Sequence, residues 1–200
     1  DLYTFTDFKR DAQGNILVNA DGQVMQMELS SPNLVGSVLP KAHLGLKNNF
    51  TWKRFELGML ITVRLGGVCV SQTQAFMDSY GVSKKTARLR NNGGVTVGNQ
   101  LVSTENFYTI VGGDTPIWGE YVYSASNVRI KELYLGYTFD KLIRGAKVSI
   151  ALTARNLLML YCKAPFDPEA TPSTDIYYQG FDYFMQPSQR SLGFSINVKL

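Results

Sequence analysis

Four carboxylic acids lie close together near the carboxyl end of the chain, and glycoside hydrolysis uses two facing carboxylates. They are Asp167, Glu169, Asp175 and Asp182. The stretch that carries most of them, "KAPFDPEATPSTD", is rich in proline and therefore irregular. Such backbone is a poor support for the fixed separation that two catalytic carboxylates need. We therefore predict solvated loop acids and no catalytic pair.

Other reactive residues are equally sparse. His43 is the single histidine, so any catalytic triad would have to use it, and the sequence implies no partner beside it. Cys69 and Cys162 lack a Cys-x-x-Cys spacing and predict two free thiols. No metal-binding motif occurs, and the glycines of "VGGD" and "NNGG" lack the Lys-Ser/Thr of a phosphate loop. The sequence predicts no enzyme, no metal and no cofactor.

The segment "STDIYYQGFDYF" is the strongest candidate for ligand binding. Sugars stack on aromatic rings and bond to neighbouring amides and carboxylates, and this segment provides both kinds of group. The candidate substrate-binding residues are Tyr177, Tyr178, Gln179, Asp182 and Tyr183. The same tyrosines could instead pack the loop against its neighbours or belong to an aromatic girdle, and both interpretations stay open.

Short elements are predicted upstream of this segment. "QTQAFMDSYG" favours a helix ended by Gly81, and "SKKTARLR" a second helix capped by Ser83. "NNGGVTVGN" favours a small hairpin. The second helix carries Lys84, Lys85, Arg88 and Arg90, which form either a solvated face or a contact with anionic lipopolysaccharide or a partner protein.

Five longer segments alternate between apolar and polar residues, a period of two that indicates β-strands. They are "AHLGLKNNFTW", "FELGMLITVRLG", "NVRIKELYLGYTF", "AKVSIALTARN" and "SLGFSINVKL". Strands of soluble proteins average about five or six residues, whereas a tilted strand of about 9–11 residues crosses a bilayer. The length of these strands favours lipid on their apolar side.

The phase of the alternation predicts which side chains face lipid. The candidate lipid-facing residues are Leu57, Met59, Ile61, Leu135, Val148, Ile150, Leu152, Phe194, Ile196 and Val198. Four charged residues take the opposite phase or lie at the rim of the lumen, where charge pairs could hold a plug: Arg64, Lys131, Glu132 and Arg155. The alternation loosens near 127–130, so the phase of Lys131 is less defined.

Connections between these strands alternate between short and long. Residues 53–54 and 140–145 make short turns, whereas 67–126 and 157–188 make long loops. Outer-membrane barrels sort their loops in this way, with short periplasmic turns and long extracellular loops. We predict an extracellular loop region at 1–41, followed by barrel strands and loops at 42–200. Aromatic residues near both short turns predict a girdle at the lipid headgroups: Phe50, Trp52, Phe55, Tyr137 and Phe139.

Composition limits the remaining classes. The 200-residue chain has a net charge of +4, which implies no nucleic-acid partner. No stretch approaches the roughly 18 consecutive apolar residues of a membrane helix. The predicted fold class is therefore all-β, an antiparallel transmembrane β-barrel segment with long extracellular loops. Five strands are too few to close a barrel, so the chain is expected to be a fragment of a larger wall.

Several stretches are similar to the carboxy-terminal region of the SusC/RagA family of TonB-linked (TonB-dependent) outer-membrane proteins. They include "VRIKELYLGYTF", "ARNLLMLYCKAPFDPEA", "YYQGFDYFMQPSQRSLGFSINV" and "MDSYGVSKKTARLRNNGG". The resemblance implies a 22-stranded barrel with a plug, in the outer membrane of a Gram-negative bacterium. It implies import of glycans, oligosaccharides or peptides, powered through TonB, with a SusD-like surface lipoprotein as partner.

Three departures from the family pattern qualify this resemblance, and one of them is Cys162, where a less reactive residue is expected. The chain shows no plug domain or TonB box, so those parts are expected outside it. Outer-membrane barrel proteins usually end on an aromatic residue, whereas this chain ends on Leu200, so a few further residues are expected. A soluble extracellular carbohydrate-binding β-sandwich is the alternative, because alternation alone also fits sheet-on-sheet packing. A secreted glycosidase domain would depend only on the loop carboxylates.

Overall fold

The computed structural model describes residues 1–143, 145–170, 172, 175 and 178–199. Its strands, in chain order, are β1 Leu2–Phe8, β2 Gln26–Gly36, β3 Ala42–Trp52, β4 Phe55–Leu65, β5 Val68–Ser71, β6 Val95–Val97, β7 Gln100–Val102, β8 Val122–Ser124, β9 Asn127–Ile143, β10 Ala146–Cys162, β11 Phe181–Asp182 and β12 Ser191–Lys199. Its helices are α1 Gln72–Ser79, α2 Lys84–Asn91 and α3 Thr104–Val111, with a 3₁₀ turn at Trp118–Tyr121. These elements form two compact units.

The first unit, called here the strand unit, consists of residues 40–67, 125–170 and 186–200. Its five strands form one antiparallel sheet in the order β12-β10-β9-β4-β3. All five strands predicted from the alternation are therefore present. Strands β9 and β10 are longer than predicted, at 17 residues each, because β9 continues to Ile143, into the predicted short turn, and β10 continues to Cys162. Residues 157–162, which the sequence assigned to the second long loop, are strand.

A β-bulge interrupts the alternation beside Lys131. On β4, Leu60 pairs with Glu132 and Ile61 pairs with Ile130, so Lys131 has no partner there. The pairing with β10 shifts at the same level, between Arg155 and Leu158. An extra residue reverses the phase of a strand, which is why the apolar pattern loosens before this point. Lys131 is the unpaired residue of this bulge, and its side chain shares the Glu169 carboxylate with Arg129, which pairs with Thr62 on the polar face.

The second unit, called here the loop unit, consists of residues 1–39, 68–124 and 171–185. It contains a β1-β2 pair, a β6-β7 hairpin and a sheet in the order β11-β5-β8, in which β11 and β5 are parallel. Its buried core comprises Phe8, Val24, Val70, Ala75, Val97, Val102, Phe107, Tyr108, Val111, Ile117 and Tyr121. Segments predicted to be loops with local structure thus form a packed unit.

The predicted short elements of the loop unit are present. Gly81 follows α1 with a φ of 69°, a left-handed conformation that glycine adopts without strain. Ser83 caps α2 by accepting a hydrogen bond from the Thr86 N–H at 3.1 Å. Gly98 turns the β6-β7 hairpin. Among the residues described, no helix is both long and apolar enough to cross a membrane.

Candidate functional site

One face of the strand unit is a continuous apolar surface. The register aligns one apolar side chain from each strand in a row across the sheet: Phe50, Leu57, Leu135, Leu152 and Phe194. A second row consists of Trp52, Phe55, Tyr137, Ile150 and Ile196. All of these except Tyr137 are exposed, and Phe194 is 75% exposed. The five strands described in this unit form a single layer.

The ten candidate lipid-facing residues all lie on this apolar face by register. Those on β4 pair with apolar residues of β9, and those on β10 pair with apolar residues of β12. Val148 differs from its neighbours in exposure, because its side chain is only 4% exposed although it pairs with Phe139 and Val198 on the same face. Met59 and Ile61 are half-buried.

Aromatic side chains gather at the short-turn end of the sheet. Phe55 and Tyr137 meet edge to face with ring centroids 4.6 Å apart, and Tyr137 meets Phe139 at 4.5 Å. Arg54 and Asp140 form an exposed ion pair at the same end, with Nη2 and Oδ2 3.1 Å apart. Aromatic rings beside charged groups are typical of a membrane–water boundary.

The opposite face of the sheet is polar. Arg155 and Glu132 face each other there, with Nε and Oε1 4.0 Å apart and both side chains exposed. The Tyr134 ring lies against Gly136, where an added Cβ would come within 2.8 Å of the tyrosine hydroxyl. A sheet with one apolar and one polar face is the arrangement of a barrel wall whose interior is wet.

The structure separates the candidate ligand-binding residues. Tyr178, Gln179 and Tyr183 are exposed, whereas Tyr177 lies outside the described residues. Asp182 is only 6% exposed, and its Oδ2 accepts a hydrogen bond from the Ser71 hydroxyl at 2.5 Å. The same hydroxyl accepts the Gln74 N–H and so caps α1. Asp182 therefore supports the fold of the loop unit and is not displayed to a ligand.

Two phenylalanines that no sequence pattern singles out support Tyr183. Phe184 stacks on Phe76 of α1 with ring centroids 5.7 Å apart, and Tyr183 meets Phe184 edge to face at 5.2 Å. The Phe184 N–H also donates to Thr73 Oγ1 at 2.7 Å. Thr73 and Phe76 are three residues apart on the predicted helix, and this spacing indicates that they lie on the same helix face.

A buried ion pair fastens the second long loop, which lies between the end of β10 at Cys162 and the start of β12 at Ser191, to strand β9. Arg129 Nη2 donates to Asp167 Oδ1 at 2.7 Å, and the two side chains are 3% and 7% exposed. Asp167 Oδ2 accepts the Ser188 N–H at 3.1 Å, so one carboxylate joins both ends of the loop. Glu169 lies 3.4 Å from Arg129 Nη1 and 3.2 Å from Lys131 Nζ. The prediction that Asp167 is a solvated loop acid is therefore wrong.

These contacts change the acidity of Asp167. Burial by itself would raise the pKa of this carboxyl, but hydrogen bonds from Arg129, Ser188 and the Glu169 N–H outweigh burial and hold the pKa well below its usual range. The carboxylate is therefore ionised at neutral pH and stays paired.

The basic cluster of α2 does not form one uniform face. Lys84, Arg88 and Arg90 are exposed, but Lys85 Nζ lies 3.9 Å from the buried Asp78 carboxylate and 5.1 Å from the centroid of the Tyr108 ring. Arg90 Nη1 donates to the Gly81 carbonyl at 2.6 Å. His43 is exposed on β3 opposite Arg64. Cys69 and Cys162 are not joined by a disulfide.

A five-stranded antiparallel sheet with one apolar and one polar face, both edges carrying long strands, defines a segment of a β-barrel wall. The chain is 25% identical over 198 residues to TonB-dependent receptor P3 of Formosa agariphila, which covers 94% of this chain and 19% of that protein. The chain thus spans about a fifth of that relative's length. No protein-family model matches the chain.

Solved structures agree with the fold. The RagAB peptide importer in its closed-closed state matches with a TM-score of 0.64 and 18% identity, covering 98% of this chain and 22% of that chain. Its open-open state matches with a TM-score of 0.63 and 19% identity, covering 99% and 22%. The barrel-segment fold and the resemblance to TonB-dependent outer-membrane proteins, both predicted from the sequence, are confirmed.

Proposed function

We propose that this chain is the C-terminal barrel portion of a SusC-like TonB-dependent transporter in the outer membrane of a Gram-negative bacterium. The observation that carries the proposal is the apolar face of the strand unit, where one apolar side chain per strand forms rows across all five strands. Transfer of such a row of apolar side chains from water into hydrocarbon is favourable. The chain would supply barrel wall and extracellular loops and would perform no chemical step.

The transported ligand belongs to the classes of glycans, oligosaccharides or peptides, taken up with a SusD-like surface lipoprotein. The match to a TonB-dependent receptor supports a nutrient transporter, and RagAB is by name a peptide importer. TonB would act through parts of the protein outside this chain. Residues 1–41, 67–126 and the second long loop would be extracellular, because the short turns lie together at the opposite end of the strands.

Tyr178, Gln179 and Tyr183 would contact the ligand. Both tyrosine rings are exposed, and Phe184 and Phe76 hold the Tyr183 end of the segment in place. A supported, exposed ring offers a flat apolar surface at low cost in conformational entropy. Tyr177 belongs to the same proposal by its place in the sequence, whereas Asp182 contributes by holding β11 against β5.

Replacing Tyr178 and Tyr183 with alanine in the full transporter should weaken ligand binding about tenfold, because each stacked ring contributes roughly 0.5–1.5 kcal/mol. The measurement is binding and uptake of a labelled oligosaccharide or peptide mixture by cells. Tyr3→Ala removes an exposed tyrosine from β1 of the same unit and serves as the matched control. Unchanged binding in the double variant would disprove the role of this segment.

The soluble sandwich alternative makes the opposite prediction about solubility. A sandwich needs a second layer of side chains on the apolar face, and the described part of the strand unit supplies none. Membrane fractionation of the native protein separates the two hypotheses. Recovery of a folded monomer without detergent would favour the sandwich over the transporter.

A further inference from the structure

The turn between α1 and α2 is held in one conformation by hydrogen bonds. The Gly81 N–H donates to the Asp78 carbonyl at 3.0 Å. The Val82 N–H donates to the Met77 carbonyl at 2.9 Å. Arg90 Nη1 donates to the Gly81 carbonyl at 2.6 Å, and a Cβ added at Gly81 would come within 2.7 Å of the same nitrogen. The turn is therefore a fixed part of the loop unit, and residues 77–90 are called here the helix tip.

The helix tip displays apolar side chains on this fixed backbone. Tyr80 is 78% exposed, Val82 is 69% exposed, and Met77 is 36% exposed. Apolar groups on a fixed backbone lose little conformational entropy when a partner covers them, so they bind more favourably than the same groups on a mobile loop. Tyrosine, methionine and arginine, all present in the tip, are also enriched where proteins contact each other.

The exposed charge of the helix tip is positive. Asp78 is the single acidic residue between positions 72 and 104, and its side chain is buried beside Lys85, with Oδ2 and Nζ 3.9 Å apart. Lys84 and Arg88 are exposed and lie four residues apart on one side of α2. Neither forms an ion pair with a residue in the described part of the chain. The tip therefore combines apolar side chains with positive charge and suits a surface that carries carboxylates.

An anionic lipid surface is the other occupant that this chemistry could fit. A helix that lies among lipid headgroups buries an apolar face along its length. The apolar side of α2 is not available for that contact, because Leu89 packs against the buried core of the loop unit and Thr86 is fully buried. Apolar side chains confined to a turn fit a recess in a protein better, and aromatic residues in such recesses account for much of the binding energy of protein interfaces.

We propose that the helix tip docks on a protein with an acidic surface around an apolar recess. Tyr80 fills the recess, and Lys84 and Arg88 pair with carboxylates at its rim. The surface lipoprotein of the proposed function is the partner to which we assign this role, so the inference rests on that function. It adds which surface of this chain the lipoprotein contacts.

Binding of the purified lipoprotein to the full detergent-solubilised transporter tests the proposal. Tyr80→Ala should raise the Kd about tenfold or more, because an aromatic residue at the centre of an interface is among the few whose truncation has so large an effect. Tyr3→Ala removes an exposed tyrosine from β1 of the same unit and should leave the Kd unchanged.

Charge reversal tests the role of the cations. Lys84→Glu combined with Arg88→Glu should slow association about tenfold at low salt and reduce the dependence of the association rate on salt concentration. Lys9→Glu combined with Arg10→Glu makes the same change in net charge on exposed residues of the loop unit and should have little effect. In both variants the Thr86 amide, in the first turn of α2, should exchange its hydrogen as in the parent, which shows that the helix stays folded.

Equal affinity of the parent and Tyr80→Ala would overturn the inference, as would an unchanged salt dependence after charge reversal at the tip. Unchanged lipoprotein binding, with loss of co-purifying lipopolysaccharide from the charge-reversed transporter, would assign the tip to lipid and also overturn it. In these cases the proposed function stands, because the parent still binds the lipoprotein. If the parent itself does not bind the lipoprotein, the partner named in the proposed function is wrong together with this inference.

Discussion

Replacing Arg129 with alanine should destabilise the second long loop by about 3–5 kcal/mol, because the change leaves the buried Asp167 carboxylate without its cation. The expected result is faster hydrogen exchange at the Glu169 and Ser188 amides, both of which donate to Asp167. Faster proteolysis between residues 163 and 190 should accompany it.

Lowering the pH slightly below neutrality does not test the ion pair in the same way, because Asp167 stays ionised there. The pKa of Asp167 is lowered, so its contribution is complete above the ordinary pKa of about 3.9 and is lost only as the pH falls through the lower folded value.

Two further variants test whether the loss comes from the ion pair. Arg155→Ala removes an exposed guanidinium from a pair at 4.0 Å and should cost only about 0–1 kcal/mol. Combining Arg129→Met with Asp167→Leu removes both charges, and this variant should be more stable than Arg129→Ala. If Arg129→Ala exchanges no faster than Arg155→Ala, the buried pair does not fasten the loop.

Placing arginine at Leu152 should destabilise the full transporter in a bilayer by about 2–4 kcal/mol, the cost of a charge at the lipid midplane. Leu152 lies in the row that runs from Phe50 to Phe194, near the middle of β10. The measurement is the urea midpoint for unfolding from lipid vesicles, followed by the change in gel mobility of the folded barrel. The effect depends on the apolar face contacting hydrocarbon.

Thr153→Arg is the matched control, because Thr153 is the next residue on the same strand and its side chain points to the polar face. A charge there would be solvated in the barrel interior and should cost much less. Equal losses for Leu152→Arg and Thr153→Arg would show that the apolar face is not in lipid. An Ile196→Arg variant extends the test to β12.

The strand unit could be predicted closely from the sequence because its signal is local. A strand buried on one face must alternate, so the stretch from Leu192 to Val198 shows its apolar phase directly. The caps of α1 and α2 are local too, since a serine at the N-cap and a glycine after the C-terminus need no distant partner. The bulge at Lys131 could only be seen as a loosened pattern, because the register depends on the neighbouring strands.

The rest depends on pairs that are distant in sequence. Arg129 and Asp167 are 38 residues apart, and nothing in either local stretch indicates the other. The tyrosines beside Asp182 indicate a ligand carboxylate, but its hydrogen-bond partner Ser71 lies 111 residues away. The core of the loop unit was missed for the same reason, since Phe8, Val70 and Phe107 come from separate stretches. Hydrophobic periodicity identifies the apolar face of a helix or strand, but it does not identify the residues that cover that face.

The composition of the loop unit from three separate stretches has a consequence for biogenesis. Its third stretch carries Phe181 and Asp182, which pair with Val70 and Ser71. Four of the five wall strands precede that stretch in the chain. The loop unit therefore stays incomplete until its third stretch has been synthesised, and contacts of such high sequence separation form slowly. A nascent chain stopped before residue 181 would lack the parallel pairing of β11 with β5.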